Sequence, residues 1–257
     1  MRSWQEELAL LKATNTPDRR PFVTAAFAMS RDGCLTETRG RSTRISGPES
    51  MQLTHELRAS HDALMVGVGT VLTDDPQLTT RLVTGPSPLR VVLDSQLRLP
   101  LTARVLHSTE RPPWLVTTPR APRRRAQLLA AEGARLLRVS GADQGVCVPE
   151  LLTRLYERGV RSVMLEGGAA VLESFFRAQC VDYVALTVSP RALANPAAVT
   201  IGRCTSMALT RMHASSREQV GDDRFEAGPL LAEQPHPAHV RVPRLGLHVR
   251  SASVGAT

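Results

Sequence analysis

HELRASHDALMVGVGTVLTDDPQLTTR, residues 55–81, holds a helix end, a buried strand and a glycine turn in one run. Asp62 to Val68 is a short, continuous apolar run of the kind buried on both faces of a sheet. Gly67-Val68-Gly69-Thr70 follows at once, and Thr73-Asp74-Asp75-Pro76 makes a polar turn behind it. Helix, buried strand and turn in that order form the repeating unit of a parallel sheet covered by helices. In such sheets ligands bind at the carboxyl ends of the strands. Glycines there let a phosphate approach the backbone, and a following helix start favours an anion. Read alone, the Gly67–Thr70 segment is equally a tight turn with no ligand.

Outward from this block the same alternation recurs. Residues 3–13 read as a helix whose Ser3 and Glu6 form a capping box. Residues 21–30 read as a strand, and Ser46-Gly47-Pro48-Glu49 opens a helix to about Ala59 with Ser46 as cap and Glu49 completing a second box. Strands are expected at 89–94, 114–118 and 134–139, with helices near 123–132 and 149–158. A strand then runs into Leu165-Glu166-Gly167-Gly168-Ala169-Ala170, a second strand-to-helix junction led by glycines. From Val181 the texture changes to VDYVALTVSP, SMALTRMHASSRE and DRFEAG, read as strands without intervening helices and as antiparallel additions at the sheet edge. The fold class is therefore α/β, three layers, with a mainly parallel sheet. Beyond Leu231 the prolines are scattered and the period is lost, which reads as a disordered tail over 232–257.

Composition narrows the function. The chain has 257 residues, 42% hydrophobic and 22% charged, enough for a sizeable core. No apolar stretch reaches the roughly 18 residues of a membrane span, and the charged start MRSWQEELALLK is unlike a secretory signal. Cys34, Cys147, Cys180 and Cys204 are far apart with no CxxC, so neither a zinc site nor a disulfide framework is expected, and a cytoplasmic location is. The net charge of +8 raises nucleic-acid binding as a reading. Against it, Lys12 is the only lysine, a pattern of arginine-for-lysine codon bias, and aromatics are 4%, too few for stacking platforms. The densest basic run, Arg120 to Arg125, lies in a proline-containing loop. No nucleic-acid partner is expected, and scattered arginines suit small anionic molecules better.

Among the residues able to do chemistry, Glu166 stands at the mouth of the sheet. It can accept hydrogen bonds from sugar hydroxyls, or cap the helix after Gly167. Arg58 and Arg81 can converge on a phosphate through the planar guanidinium fork; the alternative is an Asp–Arg surface pair of little worth. Neither glycine junction is a G-x-G-x-x-G fingerprint, and there is no Walker sequence.

The 55–81 block resembles the signature of the reductase domain of riboflavin biosynthesis. That domain is the C-terminal half of the bifunctional RibD deaminase–reductase and has a dihydrofolate-reductase-like fold. AFAMSRDGCL at 26–35, LRVVLDSQLRLP at 89–100, VMLEGGAAVLESFF at 163–176 and VDYVALTVSP at 181–190 match in order. The resemblance divides the chain into an N-terminal helical extension over 1–20, a reductase domain over 21–231 and the tail. It implies an NADPH-dependent reductase that converts the ribose of a phosphoribosylaminopyrimidine, in its uracil or diaminopyrimidinone form, to the ribityl form. Hydride would pass to C1 of the ring-opened imine.

By position, the resemblance assigns cofactor contacts to Ala28, Arg44, Gly67, Gly69, Thr70, Asp74, Ser95 and the run Gly167, Gly168, Ala169, Ala170, Val171 and Leu172. Substrate contacts fall on Ser42, Arg58, Leu78, Arg81 and Glu166, with Ser42, Arg58 and Arg81 on the 5′-phosphate and Glu166 on the ribose. Asp74 and Glu166 are the catalytic candidates, Asp74 for proton delivery with water as its rival. The family also implies a homodimer. Two departures stand out: Arg44 occupies a position where the family often has Trp, and Ser30-Arg31-Asp32-Gly33 replaces its usual SLDG. The zinc-deaminase signature, H-x-E then P-C-x-x-C, appears nowhere, so a separate deaminase is expected. His236 and His239, set between prolines, read as incidental, and no metal is expected. A same-fold reductase of a pterin, dihydrofolate or secondary-metabolite substrate is the alternative, and a basic nucleic-acid-binding protein the third reading.

Overall fold

The computed structural model describes residues 3–14, 18–107, 111–142 and 145–231; the tail expected over 232–257, with His236 and His239, lies outside them. The first elements are helix α1 (Ser3–Thr14), strands β1 (Phe22–Ser30) and β2 (Cys34–Thr36), helix α2 (Pro48–Ala59), strand β3 (Ala63–Gly67) and helix α3 (Val68–Asp74). Strand β4 (Leu89–Leu93), helix α4 (Arg104–His107), strand β5 (Trp114–Thr117), helix α5 (Arg123–Ala131) and strand β6 (Arg135–Arg138) follow. A small ribbon of β7 (Gly141–Ala142) and β8 (Gly145–Val146) precedes helix α6 (Val148–Tyr156), strand β9 (Ser162–Leu165) and helix α7 (Ala169–Arg177). The last elements are strands β10 (Tyr183–Ser189) and β11 (Val199–Thr200), helix α8 (Arg203–Leu209) and the hairpin β12 (Ser216–Val220) with β13 (Asp223–Pro229).

Nine strands form one sheet in the order β12-β13-β10-β1-β9-β3-β4-β5-β6. From β10 to β6 every neighbouring pair is parallel; β13 runs antiparallel to β10 and β12. Strand β3 is apolar and buried along its whole length because helices cover both faces. Leu64 and Val66 of β3 join one core with Leu53 and Leu57 of α2 and Leu129 of α5, while Ala63 and Met65 join the other with Leu152 of α6 and Phe175 of α7. Successive side chains alternate faces, so the three-layer α/β arrangement follows from the strand sequence.

Three local expectations need correction. Strand β10 is parallel to β1, not antiparallel, because α7 supplies the helical crossover from β9 that a parallel neighbour needs. The start of the SMALTRMHASSRE stretch, residues 206–209, closes α8 rather than a strand, while its end at 216–218 lies in β12. Glu173 of α7 accepts the N–H groups of Cys204 and Thr205 and so starts that helix. The capping box at Ser46 does not form: Gly47 is the N-cap, without a side-chain bond. Asp223 supplies the carboxylate instead, accepting from Gly47 N–H and Ser50 Oγ at 2.7 Å each. The Ser3 hydroxyl is engaged by Ser216 Oγ at 2.6 Å.

Helix α1 is packed into the main core rather than appended to it. Trp4 and Leu8 are fully buried, and Trp4 meets Phe225 edge-on at 5.7 Å between ring centroids. Glu7 accepts from the Tyr183 hydroxyl at 2.9 Å, Gln5 donates to Glu56, and Lys12 donates to the Ser60 carbonyl. The helix therefore braces α2 and β13 together. Trp4→Ala should cost about 3–5 kcal/mol, read as a lower urea midpoint; an unchanged midpoint would place α1 outside the cooperative core.

Candidate active site at the carboxyl edge

Strand β9 is inserted between β1 and β3, and all three point the same way. From β3 the chain leaves through α3 towards β4; from β9 it leaves through α7 towards β10, on the opposite side. The strand order thus reverses at β9/β3, and the crevice outside such a reversal is where open α/β sheets bind ligands. Both glycine junctions seen in the sequence open here.

Glu166 extends β9 by donating its N–H to the Met65 carbonyl at 2.9 Å. Its carboxylate is turned to α2, where Arg58 binds it in a fork: Nε to Oε1 at 2.6 Å and Nη2 to Oε2 at 2.7 Å. The Arg58 side chain is 9% exposed and that of Glu166 18%, so the carboxylate is the member of the pair nearer the outside. Burial would lower the Arg58 pKa, but the Glu166 carboxylate outweighs it and raises the pKa instead. Arg58 Nη1 donates to the Thr79 carbonyl at 3.0 Å. Its fork engaged by Glu166 and Thr79, Arg58 braces the site from inside. Glu166 does not cap α7, the alternative raised for it.

Residues 75–81 hang from this pair. Asp75 closes α3 in the left-handed region at φ 39° and accepts Arg104 N–H at 2.8 Å, which anchors α4. Leu78 is buried with φ 56°, a strained conformation for a branched side chain. Arg81 donates its backbone N–H to His55 Nδ1 at 3.0 Å. Its guanidinium is exposed and has no partner among the described residues, and Thr80 Oγ1 beside it is buried without one.

The glycines divide into two kinds. A Cβ on Gly67 would stand 2.7 Å from Val171 Cγ2, and one on Gly167 would stand 2.8 Å from Val171 Cβ. Both are glycine so that Val171 of α7 can pack onto the strand ends. A Cβ on Gly69 or Gly168 would meet nothing within 4 Å. Gly168 N-caps α7 with no side-chain bond, which leaves the first-turn amides of Ala169 and Ala170 to an outside acceptor. Leu172 is buried in the core.

The remaining sequence candidates are spread along the same edge. Ala28 is half-buried near the end of β1, opposite Thr187. Thr70 is half-buried on α3, and Asp74 is exposed at its last position. Ser95 follows β4, and its carbonyl accepts from the Thr117 and Thr118 hydroxyls. Ser42 and Arg44 are exposed, and the Arg44 carbonyl accepts from Arg191 Nη1 at 2.9 Å. In the arginine run, Arg125 is tied to the Leu97 and Leu99 carbonyls. Sequence reasoning missed His55 and Thr79. The i, i+3 spacing of His55 and Arg58 was a readable signal; Thr79 acts through its carbonyl and left none. All four cysteines are free. Among the described residues no His/Cys/Asp/Glu group could hold a metal, and no helix is long and apolar enough to cross a membrane.

The mainly parallel α/β sheet with its topological reversal at one strand edge has the architecture of dihydrofolate reductase. The dihydrofolate reductase of Enterococcus faecalis superposes over 81% of this chain and 96% of its own with a TM-score of 0.50 at 13% identity. The chain belongs to the RibD C-terminal domain family, which matches residues 21–223. The 2,5-diamino-6-ribosylamino-4(3H)-pyrimidinone 5′-phosphate reductase of Aquifex aeolicus is 39% identical over 175 residues, covering 66% of this chain and 77% of that protein. RibD of the same organism is 34% identical over 69% of this chain, which spans only 49% of it. The solved structure of Acinetobacter baumannii RibD aligns over 88% of this chain and 62% of its own, with a TM-score of 0.71 at 26% identity. Helix α1 precedes the matched residues.

Two buried histidines make stability pH-dependent. Burial first, then the cations of Arg58 and Arg81, push His55 from 6.5 down to about 4. Burial, then Lys12, pushes His61 down to about 3. Both rings bind a proton less readily folded than unfolded, so the stability they support is complete above about pH 6.5 and falls as pH drops towards 4. Urea midpoints should decline between about pH 7 and pH 5, above the ordinary carboxylate range; a flat profile there would contradict the buried, neutral state of both rings.

Proposed function

We propose that the chain is an NADPH-dependent reductase of riboflavin biosynthesis acting on 2,5-diamino-6-ribosylamino-4(3H)-pyrimidinone 5′-phosphate, whose ribose it converts to the ribityl form. The observation that carries this reading is the Arg58-braced Glu166 carboxylate beside the uncapped, glycine-led start of α7. One element suits a polyol and the other a pyrophosphate, at the same strand ends. The family membership and the name of the Aquifex relative support it. The corresponding aminouracil is the alternative substrate.

The chemistry of the edge fits a dinucleotide. The free amides at the start of α7 are donors for a pyrophosphate, and Gly69 and Gly168 leave room for it. Thr70, Ala28, Arg44 and Ser95 would line the rest of the cofactor's course. When bound, NADPH supplies a hydride, and the protein's part is to orient the acceptor in a closed site. Glu166 accepts hydrogen bonds from ribose hydroxyls while Arg58 fixes its rotamer. Arg81, with Ser42, takes the 5′-phosphate through a charge-assisted contact. The acceptor is C1 of the ring-opened sugar imine, and we assign proton delivery at its nitrogen to Asp74, with water as rival. The reading takes 21–231 as the catalytic unit, a cytoplasmic location from the cysteine usage and charged start, and a homodimer from the family likeness.

The test is NADPH oxidation with the diaminopyrimidinone and the uracil side by side. Turnover of the first supports the reading, and turnover of neither overturns it. Gly69→Ala should raise stability by up to about 1 kcal/mol yet weaken NADPH about tenfold. Gly167→Ala should instead lose about 1–3 kcal/mol by overpacking Val171. Equal cofactor affinity in Gly69→Ala would take the dinucleotide away from that turn.

A further inference from the structure

We propose that His55 is a positioning residue that holds the Arg81 loop in register with the Arg58–Glu166 pair, so that the phosphate end and the ribose end of the substrate are read by one helix. The proposal rests on the functional reading above and adds to it a residue that neither meets ligand nor belongs to the candidate set.

His55 lies on α2 three residues before Arg58, on the same face of the helix, and is fully buried. Its Nδ1 accepts the Arg81 backbone N–H at 3.0 Å. A neutral ring that accepts at Nδ1 carries its proton on Nε2. That nitrogen stands 3.4 Å from Arg58 Nη1, itself a donor, so the contact there is packing and the bond that matters is to Arg81. An imidazolium would have no acceptor to offer and would set a third cation beside Arg58 and Arg81; burial and those two cations keep the ring neutral.

The loop has further ties. Arg58 holds it at the Thr79 carbonyl, Ser87 Oγ accepts the Thr80 N–H at 3.1 Å, and Leu78 is sunk in the core at φ 56°. The ties at Thr79 and Arg81 both come from α2. They fix the backbone on either side of Thr80 and leave the Arg81 guanidinium pointing free of partners. Since Glu166 grips the same helix through Arg58, the carboxylate and the Arg81 loop share one support. Without His55 the Arg81 backbone has lost its side-chain tie while Glu166 remains braced.

The variants are His55→Ala, His55→Asn and His55→Gln in the full chain. Asparagine sets an amide oxygen where Nδ1 stood and keeps the Arg81 tie; glutamine reaches towards the Nε2 position and does not. His55→Ala should raise KM for the phosphorylated pyrimidine about tenfold, leave the NADPH Kd unchanged, and leave turnover of the phosphate-free riboside at the wild-type level. His55→Asn should restore the KM and His55→Gln should not. Amide exchange at Arg81 should speed up in His55→Ala and stay slow in His55→Asn, a readout independent of turnover. Equal losses for cofactor and substrate, rescue by Gln rather than Asn, or unchanged exchange at Arg81 in His55→Ala would overturn the proposal. If the wild type turns over neither pyrimidine, the functional reading falls, and the exchange measurement still decides the role of His55.

Discussion

A guanidinium 9% exposed at the edge of a sheet is stable only with a counter-charge in good geometry. Arg58 finds it in Glu166, and the fork between them fixes much else. It ties α2 to the end of β9, gives the Thr79 carbonyl its donor, and fixes the carboxylate against α2. A pair of this kind adds little net stability over an apolar substitute, while losing either partner is costly. That asymmetry suits a functional edge, where a charge must be kept in place rather than hidden.

The sheet topology makes the pair possible. Arg58 and Glu166 are 108 residues apart, and they meet because β9 returns from the far side of the sheet to lie between β1 and β3. The same insertion brings the two glycine junctions side by side. Val171 then packs on Gly67 and Gly167, which draws α7 down to the strand ends and leaves Gly69 and Gly168 facing outward. Packing glycines and open glycines are adjacent in sequence, yet they answer to different neighbours.

Much of this was legible in the residues because the signals are local. Apolar runs such as Ala63–Gly67, the Gly67 and Gly167 turns, and the helices at 123–131 and 148–156 follow from periodicity and turn chemistry. What failed depended on distant partners. The cap of α2 comes from Asp223, the start of α8 from Glu173, and the direction of β10 from the α7 crossover. In the site, Arg58, Arg81 and Glu166 were recognisable by residue type and by resemblance. That Arg58 faces inward, and that His55 holds Arg81, required the fold.

The most direct measurement of the central claim is a double-mutant cycle of Arg58→Ala and Glu166→Ala, followed in both urea midpoint and kcat/KM. If the pair organises the site, each single change should cost about 3–5 kcal/mol in stability, and the double mutant should cost less than their sum by about 2 kcal/mol. Each single loss of kcat/KM should match that of the double, as for residues acting as a unit. Losses that add within about 0.5 kcal/mol would contradict the account and make Arg58 and Glu166 independent neighbours.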